Sequence, residues 1–194
     1  MERAKVLARA IGIGLAAVLA ITLLAAAVEF TASYGSSIDL GRIDGVLGSD
    51  WDDAQRHECR MGKYAAEVYL KYDDGFFYVA MVIHTSKEIR GTFEAWVFFD
   101  DGDGKGYEKG DDMLSVVADG GKREKADYYF EGKHDFVLDT RGGGENNATG
   151  AGRYDDVGKA YTFEFRRELA SGDAKDVQIE DEAIVDIEYG WSSY

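Results

Sequence analysis

Residues Ala65–His84 read AAEVYLKYDDGFFYVAMVIH, and this stretch decides the fold. Polar and apolar residues alternate over Ala65–Tyr72, which predicts a half-buried β-strand. Asp73–Gly75 has the composition of a tight hairpin turn. Phe76–His84 is apolar on both faces, as expected of a strand inside a sheet that is covered on each side. The stretch therefore predicts a hairpin whose second strand is central.

The same character extends toward the C-terminus, where short segments rich in Tyr, Phe and Val are separated by turn signals. No helical repeat of useful length follows residue 28. Further strands are predicted at Thr92–Asp100, Met113–Ala118, Ala126–Phe130, His134–Asp139, Ala160–Arg167 and Ala183–Tyr189. This pattern predicts an all-β fold, an antiparallel two-sheet β-sandwich of jelly-roll-like type.

The N-terminus has a different composition. Three basic residues lie within Met1–Arg9, and Ile11–Val28 contains no charge. A basic start, an apolar helix-forming run and small residues at its end are typical of an export signal cleaved near Ala27. The alternative is an uncleaved membrane anchor, because the apolar run is just long enough to cross a bilayer. Both alternatives place the remaining chain outside the cell or on its surface, with contact to a membrane only through residues 11–28.

The chain therefore divides into three parts: residues 1–27 as signal or anchor, 28–42 as an N-terminal arm or strand, and 43–194 as the sandwich. Its formal net charge is −15, from 37 acidic and 22 basic residues. Such a surface repels nucleic acid, which we exclude as a partner, and favours divalent cations.

Cys59 is the only cysteine, so the fold has no internal disulfide. Its thiol is either buried or free to pair between chains.

An acidic, glycine-rich loop over Asp100–Asp112 is the first candidate site. Closely spaced carboxylates on such a loop can turn inward around one Ca²⁺ ion, which prefers six to eight oxygen ligands. The predicted calcium ligands are Asp100, Asp101, Asp103, Asp111 and Asp112. The alternative is a solvated acidic turn whose Asp and Gly residues suit tight backbone angles.

A second polar loop, Thr140–Arg153, is rich in glycine and predicted to be exposed. It contains Asn147-Ala148-Thr149, an acceptor pattern for N-glycosylation at Asn147.

No catalytic residues are predicted. His57 begins a zinc-protease-like pattern, but Met61 stands where the second histidine is needed. The sequence has no nucleophile elbow, phosphate loop or paired-cysteine metal site.

Aromatic residues are more informative, because a flat ring can stack on a sugar. Trp51 and Trp191 are predicted in loops near strand ends and are the candidate ligand-binding residues, whereas Trp96 is assigned to the core.

Several motifs resemble those of a known group of domains. Ile43–Ala54 (IDGVLGSDWDDA) is similar to the entry motif of family 9 carbohydrate-binding modules and related DOMON-like domains. Tyr72–Ala80 resembles the hairpin that follows in those families, and Phe98–Asp112 resembles their acidic loop. Tyr161–Asp176 is similar to a late strand of the ethylbenzene-dehydrogenase-type haem-binding branch. The resemblance covers about residues 43–190.

This resemblance implies a β-sandwich that binds either a sugar or haem b. Sugar-binding members often hold structural Ca²⁺ and stack their ligand on tryptophan, in keeping with the acidic loop and with Trp51 or Trp191. Haem-binding members use an axial Met with His or Lys, for which Met81 and His84 are the candidates here. The first hypothesis is therefore an exported, non-catalytic module that binds carbohydrate or a cell-surface polymer.

The second hypothesis is self-assembly. Val28–Tyr34 alternates strictly, with Val28, Phe30, Ala32 and Tyr34 on one side. Such a strand could complete the sheet of a neighbouring subunit and build a filament. The alternatives are pairing with its own sheet or forming the tail of a membrane helix.

Overall fold

The protein was analysed as a computed structural model, which describes residues 7–10, 31–89, 91–100, 109–119, 122–132, 135–147, 149–179 and 184–192. These residues form twelve strands, one short helix (α1, Asp139–Gly142) and two 3₁₀ turns, at Leu40–Arg42 and Ser49–Trp51. The strands are β1 (Leu7–Ala10), β2 (Ser33–Tyr34), β3 (Gln55–Met61), β4 (Tyr64–Tyr72), β5 (Phe76–His84), β6 (Thr92–Asp100), β7 (Asp112–Asp119), β8 (Lys122–Gly132), β9 (Asp135–Leu138), β10 (Thr149–Asp155), β11 (Ala160–Glu168) and β12 (Ile184–Ser192).

The strands form two sheets, which confirms the predicted all-β sandwich. The first sheet has the order β1-β12-β6-β7-β8-β9, and the second has the order β10-β11-β5-β4-β2, with β3 also paired to β4. All pairs are antiparallel except β1 with β12 and β2 with β4. One strand lies where a loop was predicted: β10 begins at Thr149 and occupies the end of the glycine-rich segment.

The core lies between the inner faces of the two sheets. Met81 of β5 shows the arrangement, because it is paired with Val68 of β4 on one side and Phe163 of β11 on the other. All three side chains are fully buried, together with Phe93 and Val97 of β6 in the opposite sheet. The half-buried Cys59 packs against this cluster, and burial raises the pKa of its thiol.

The outer face of the second sheet is also covered, by the segment of residues 36–54 that we call the cap. Ile38, Ile43 and Trp51 of the cap pack on Tyr78 and Ala80 of β5. This is why β5 is apolar on both faces, as the sequence predicts.

Two buried charged side chains fasten the cap to the sheet. Glu164 of β11 accepts hydrogen bonds from Trp51 Nε1 at 2.7 Å, Gly45 N at 2.6 Å and Asp44 N at 2.8 Å. Lys71 of β4 has its Nζ 2.8 Å from Asp53 Oδ1 and also donates to the Asp50 carbonyl. The cap therefore buries the charges of Glu164 and Lys71 and also supplies the groups that form hydrogen bonds with them.

The N-terminal predictions are only partly covered by the described residues. Leu7–Ala10 is a strand parallel to Ile184–Ile187, whereas residues 1–6 and 11–30 lie outside them. No helix among the described residues is long and apolar enough to span a membrane. The export signal or anchor stays a prediction.

The described end of the predicted donor strand pairs within its own chain. Ser33 and Tyr34 lie parallel to Lys71 and Tyr72, and Gly35 N donates to the Tyr72 carbonyl at 2.9 Å. This agrees with the alternative in which the segment joins its own sheet. Exchange between subunits stays a prediction.

Candidate functional site

An open groove of about 720 Å³ runs along the outer face of the second sheet, beside the cap. Its floor contains Tyr69 of β4, Val82 of β5 and Thr162 of β11. One wall is the 45–47 stretch of the cap, and the other is the turn after β10. The remaining lining residues are Glu67, His84, Arg153, Tyr154, Asp155, Asp156, Val157, Gly158 and Ala160. The groove thus combines apolar and aromatic surface with charged side chains on its floor and walls.

The turn wall is held by one aspartate. Asp155 Oδ1 accepts a hydrogen bond from Val157 N, and Asp155 Oδ2 accepts one from Gly158 N, both at 2.9 Å. This local capping leaves the Val157 side chain 92% exposed at the tip of the turn. An apolar side chain is therefore presented to solvent at the rim of the groove.

Glu67 is the central charged group of the groove. Its carboxylate accepts hydrogen bonds from Arg56 Nε at 2.9 Å and Tyr69 Oη at 2.5 Å, and it lies 3.2 Å from His84 Nε2. The bond from Arg56 is the main cause that lowers the pKa of Glu67 to about 2. Glu67 is consequently a fixed anionic acceptor at neutral pH.

The structure corrects the expectation for Trp51. Its side chain is only 3% exposed, because it packs against Tyr78 of β5 and donates a hydrogen bond to Glu164 of β11. A ring enclosed in this way has no free face for stacking on a sugar. Trp191 lies near the end of β12, paired with Phe93, rather than in a loop. Its ligand-binding role stays a prediction, since its side chain is outside the described part of the chain.

The haem pair is also corrected. Met81 is 0% exposed in the core between the sheets, whereas His84 is exposed on the outer face of the same strand. Successive side chains of a strand point to opposite faces, so residues three apart cannot approach one haem iron from the two axial sides.

Only part of the predicted calcium loop is described. Asp101 and Asp103 lie outside the described residues, and the Asp100 backbone ends β6 opposite Ile184. Asp111 and Asp112 are buried rather than exposed. The alternative of a fully solvated acidic turn is therefore wrong for its last two residues.

Asp112 belongs to a cluster that the sequence did not predict. Carboxylate oxygens of Asp112, Asp127 and Asp176 lie within 4.8 Å of one another, and all three residues are buried. Arg167 Nη1 lies 2.6 Å from Asp112 Oδ2, and Arg167 Nη2 donates to the Val177 carbonyl at 2.6 Å. We call Asp112, Asp127, Asp139 and Asp176 the buried carboxylate cluster.

Electrostatics in this cluster disfavour four bare negative charges. Burial raises the pKa of Asp112 well above its usual range, and Arg167 only partly opposes this effect. Burial, followed by the charges of Asp127 and Asp176, raises the pKa of Asp139 to about 7. An ionised carboxylate can only accept hydrogen bonds. Two carboxylates in contact therefore need either a proton shared between them or a cation that binds both.

Asn147 also contacts this cluster. Its Nδ2 donates to Asp176 Oδ2 at 2.8 Å, and its backbone N donates to Asp127 Oδ2 at 3.2 Å. A glycan would have to be attached to this same Nδ2. Glycosylation at Asn147 stays a prediction.

No protein family and no curated protein matches the chain. Two similar solved structures are family 9 carbohydrate-binding modules from Caldicellulosiruptor kristjanssonii, one in complex with glucose and one with cellotriose. Both have a TM-score of 0.43 and 16% identity. The matches cover 72% and 70% of this chain, and 68% and 65% of theirs.

These modules belong to the family that the sequence motifs resemble.

Proposed function

We propose that this chain is an exported, non-catalytic β-sandwich module that binds carbohydrate in the groove beside the cap. The observation that carries the proposal is the combination of apolar and aromatic surface with charged planar groups in one groove. A sugar presents C–H faces and hydroxyl groups together, so it needs both kinds of surface in one site.

The polar groups offer both hydrogen-bonding roles. Glu67 and Asp155 are acceptors, and Arg153 is a donor with several N–H groups. A sugar hydroxyl can donate to a carboxylate while accepting from a guanidinium. The exposed Val157 and the half-buried Tyr69 supply apolar surface at the rim and the floor.

The direction of the Glu67 pKa supports binding rather than catalysis. Hydrolysis of a glycosidic bond requires one carboxyl whose pKa is raised, so that it can donate a proton. Glu67 has a pKa of about 2 and is ionised at neutral pH. It can accept hydrogen bonds from a sugar but cannot serve as the general acid.

Affinity electrophoresis and calorimetry against soluble glucans, xylans and mannans test the proposal. We expect Arg153→Ala to weaken binding about tenfold or more, the equivalent of one charge-assisted hydrogen bond. Arg60→Ala is the matched control, because Arg60 is an exposed arginine on β3 that does not line the groove.

Equal affinity of the Arg153→Ala and Arg60→Ala variants would contradict the assignment of the groove. Failure of the wild-type protein to bind any polysaccharide of the panel would contradict carbohydrate binding itself.

A further inference from the structure

We propose that the buried carboxylate cluster binds one calcium ion, with Asp112, Asp127 and Asp176 as ligands and Asp139 beside them. This site shares only Asp112 with the loop ligands that the sequence predicts. It lies apart from the groove and does not depend on carbohydrate binding.

The first argument is the spacing of the oxygens. One carboxylate oxygen from each of Asp112, Asp127 and Asp176 lies within 4.8 Å of the other two. Calcium–oxygen distances are about 2.3–2.6 Å, so ligands around one ion are separated by at most about 5 Å. The three oxygens therefore lie close enough together to be ligands of one ion.

The second argument is independent of the spacing and concerns unmet polar atoms. Asp139 is 0% exposed, and neither of its carboxylate oxygens accepts a hydrogen bond from the described residues. Asp112 Oδ1 and Asn147 Oδ1 are buried and likewise accept none among those residues. Burying a hydrogen-bond acceptor lowers the stability of the fold unless a donor or a cation binds to it.

The third argument is charge. Arg167 is the only buried basic side chain beside the cluster among the described residues, facing Asp112 and lying 3.8 Å from Asp176. One guanidinium cannot neutralise four buried carboxylates. A divalent cation removes most of the excess negative charge that remains.

The donor set identifies the class of ion. The cluster offers carboxylate and amide oxygens, with no His or Cys in the described group. Oxygen ligands without nitrogen or sulfur suit hard cations and disfavour zinc. Calcium is favoured over magnesium, because magnesium demands a near-ideal octahedron and retains several waters.

The ligands come from separate elements. Asp112 begins β7, Asp127 lies in β8, Asp139 begins α1, and Asp176 lies in the connection after β11. An ion here joins the first sheet to the β11–β12 connection. It would act as the cross-link that a chain with a single cysteine lacks.

The test begins with the wild-type protein stripped of metal with EGTA and titrated with CaCl₂ in a calorimeter. We expect the titration to show at least one calcium-binding site per chain, and we assign one such site to the cluster. We also expect a melting temperature at least about 5 °C higher in excess CaCl₂ than in EGTA. Equimolar MgCl₂ should give a smaller shift.

Variants locate the site. Asp127→Asn and Asp176→Asn should each weaken calcium binding by about tenfold or more and reduce the melting shift. Asp135→Asn is the matched control, because Asp135 is exposed on β9 of the same sheet. A double variant, Asp101→Asn with Asp103→Asn, tests the sequence-predicted loop and should retain the cluster site.

Two results would overturn the proposal. One is a wild-type protein that binds no calcium and melts at the same temperature in CaCl₂ and EGTA, a result that needs no variant to fold. The other is loss of binding in the loop double variant with full binding in Asp127→Asn and Asp176→Asn. Neither result bears on the groove, which is tested separately with polysaccharides.

Discussion

Glu164 and Lys71 are charged residues that the fold buries completely on the outer face of the second sheet. Both are satisfied by groups of the cap. Three donors reach Glu164, and Lys71 contacts Asp53. The motif Ile43–Ala54 therefore has a structural role in this chain, because its Asp44, Gly45 and Trp51 donors hold the cap against β11.

The lowered pKa of Glu67 predicts how the stability of the fold depends on pH. Its pKa in the folded chain is about 2, below the ordinary value of 4.5. A lowered carboxyl pKa stabilises the fold above the unfolded pKa, and this stability is lost as pH falls from about 4.5 toward 2. Because Arg56 is half-exposed, we expect solvent screening to reduce the effect to about 1 kcal/mol.

Urea unfolding of wild-type protein and of the Glu67→Gln variant between pH 6 and pH 2.5 checks this prediction. The difference in unfolding free energy between the two should shrink as the pH falls. Glu58→Gln is the matched control, since Glu58 is a more exposed partner of the same Arg56. A constant difference for Glu67→Gln across this range would contradict the assigned role of Glu67.

Strand β10 shows how an element is adapted to its neighbours. A Cβ atom added at Gly150 would lie 2.2 Å from Val116 Cγ2 and 2.9 Å from the Glu164 carbonyl. A Cβ atom at Gly152 would lie 2.9 Å from Phe163 Cδ1. Glycine at these alternate positions allows β10 to approach β7 of the opposite sheet. The glycine content that suggests a loop in the sequence is here a packing requirement.

We therefore expect Gly150→Ala to lower the free energy of unfolding by roughly 1–3 kcal/mol, the usual cost of overpacking. Gly132→Ala, at the end of β8, is the control, because nothing lies within 4 Å of its added Cβ. That substitution should change stability by about 0.5 kcal/mol or less. Denaturant unfolding measures both, and equal stabilities would show that β10 does not pack as described.

The whole molecule carries a formal net charge of −15 on a sandwich with no disulfide within the chain. Two groups of its acidic side chains should respond differently to salt. The mutual repulsion of the exposed carboxylates is screened by salt, whereas the buried carboxylate cluster is shielded from dissolved ions. Monovalent salt and calcium should therefore stabilise the fold through different groups.

We expect the melting temperature in EGTA to rise by a few degrees when NaCl increases from 10 to 200 mM, because exposed carboxylates repel one another less. Sucrose at the same osmolality is the control for effects that do not involve charge. Differential scanning calorimetry measures the shift. A melting temperature independent of NaCl would mean that surface repulsion contributes nothing measurable to stability.

Much of the fold follows from the sequence alone. Alternation over Ala65–Tyr72 and the turn at Asp73–Gly75 predict β4, β5 and their antiparallel pairing. The two apolar faces of Phe76–His84 also predict cover on both sides. These features are local, because a strand has a period of two residues and a hairpin brings sequence neighbours together.

The sites were decided by tertiary structure. Trp51 is buried against β5, and its Nε1 donates a hydrogen bond to Glu164, 113 residues away in sequence. The buried carboxylate cluster takes one residue from each of three elements, β7, β8 and α1, and one from the connection after β11, whereas the sequence indicated only the acidic run within Asp100–Asp112. Local alternation specifies which residues form a strand and which of them share a face. The positions where the sheets and the cap meet depend on contacts between residues far apart in the chain, and no local pattern encodes those distances.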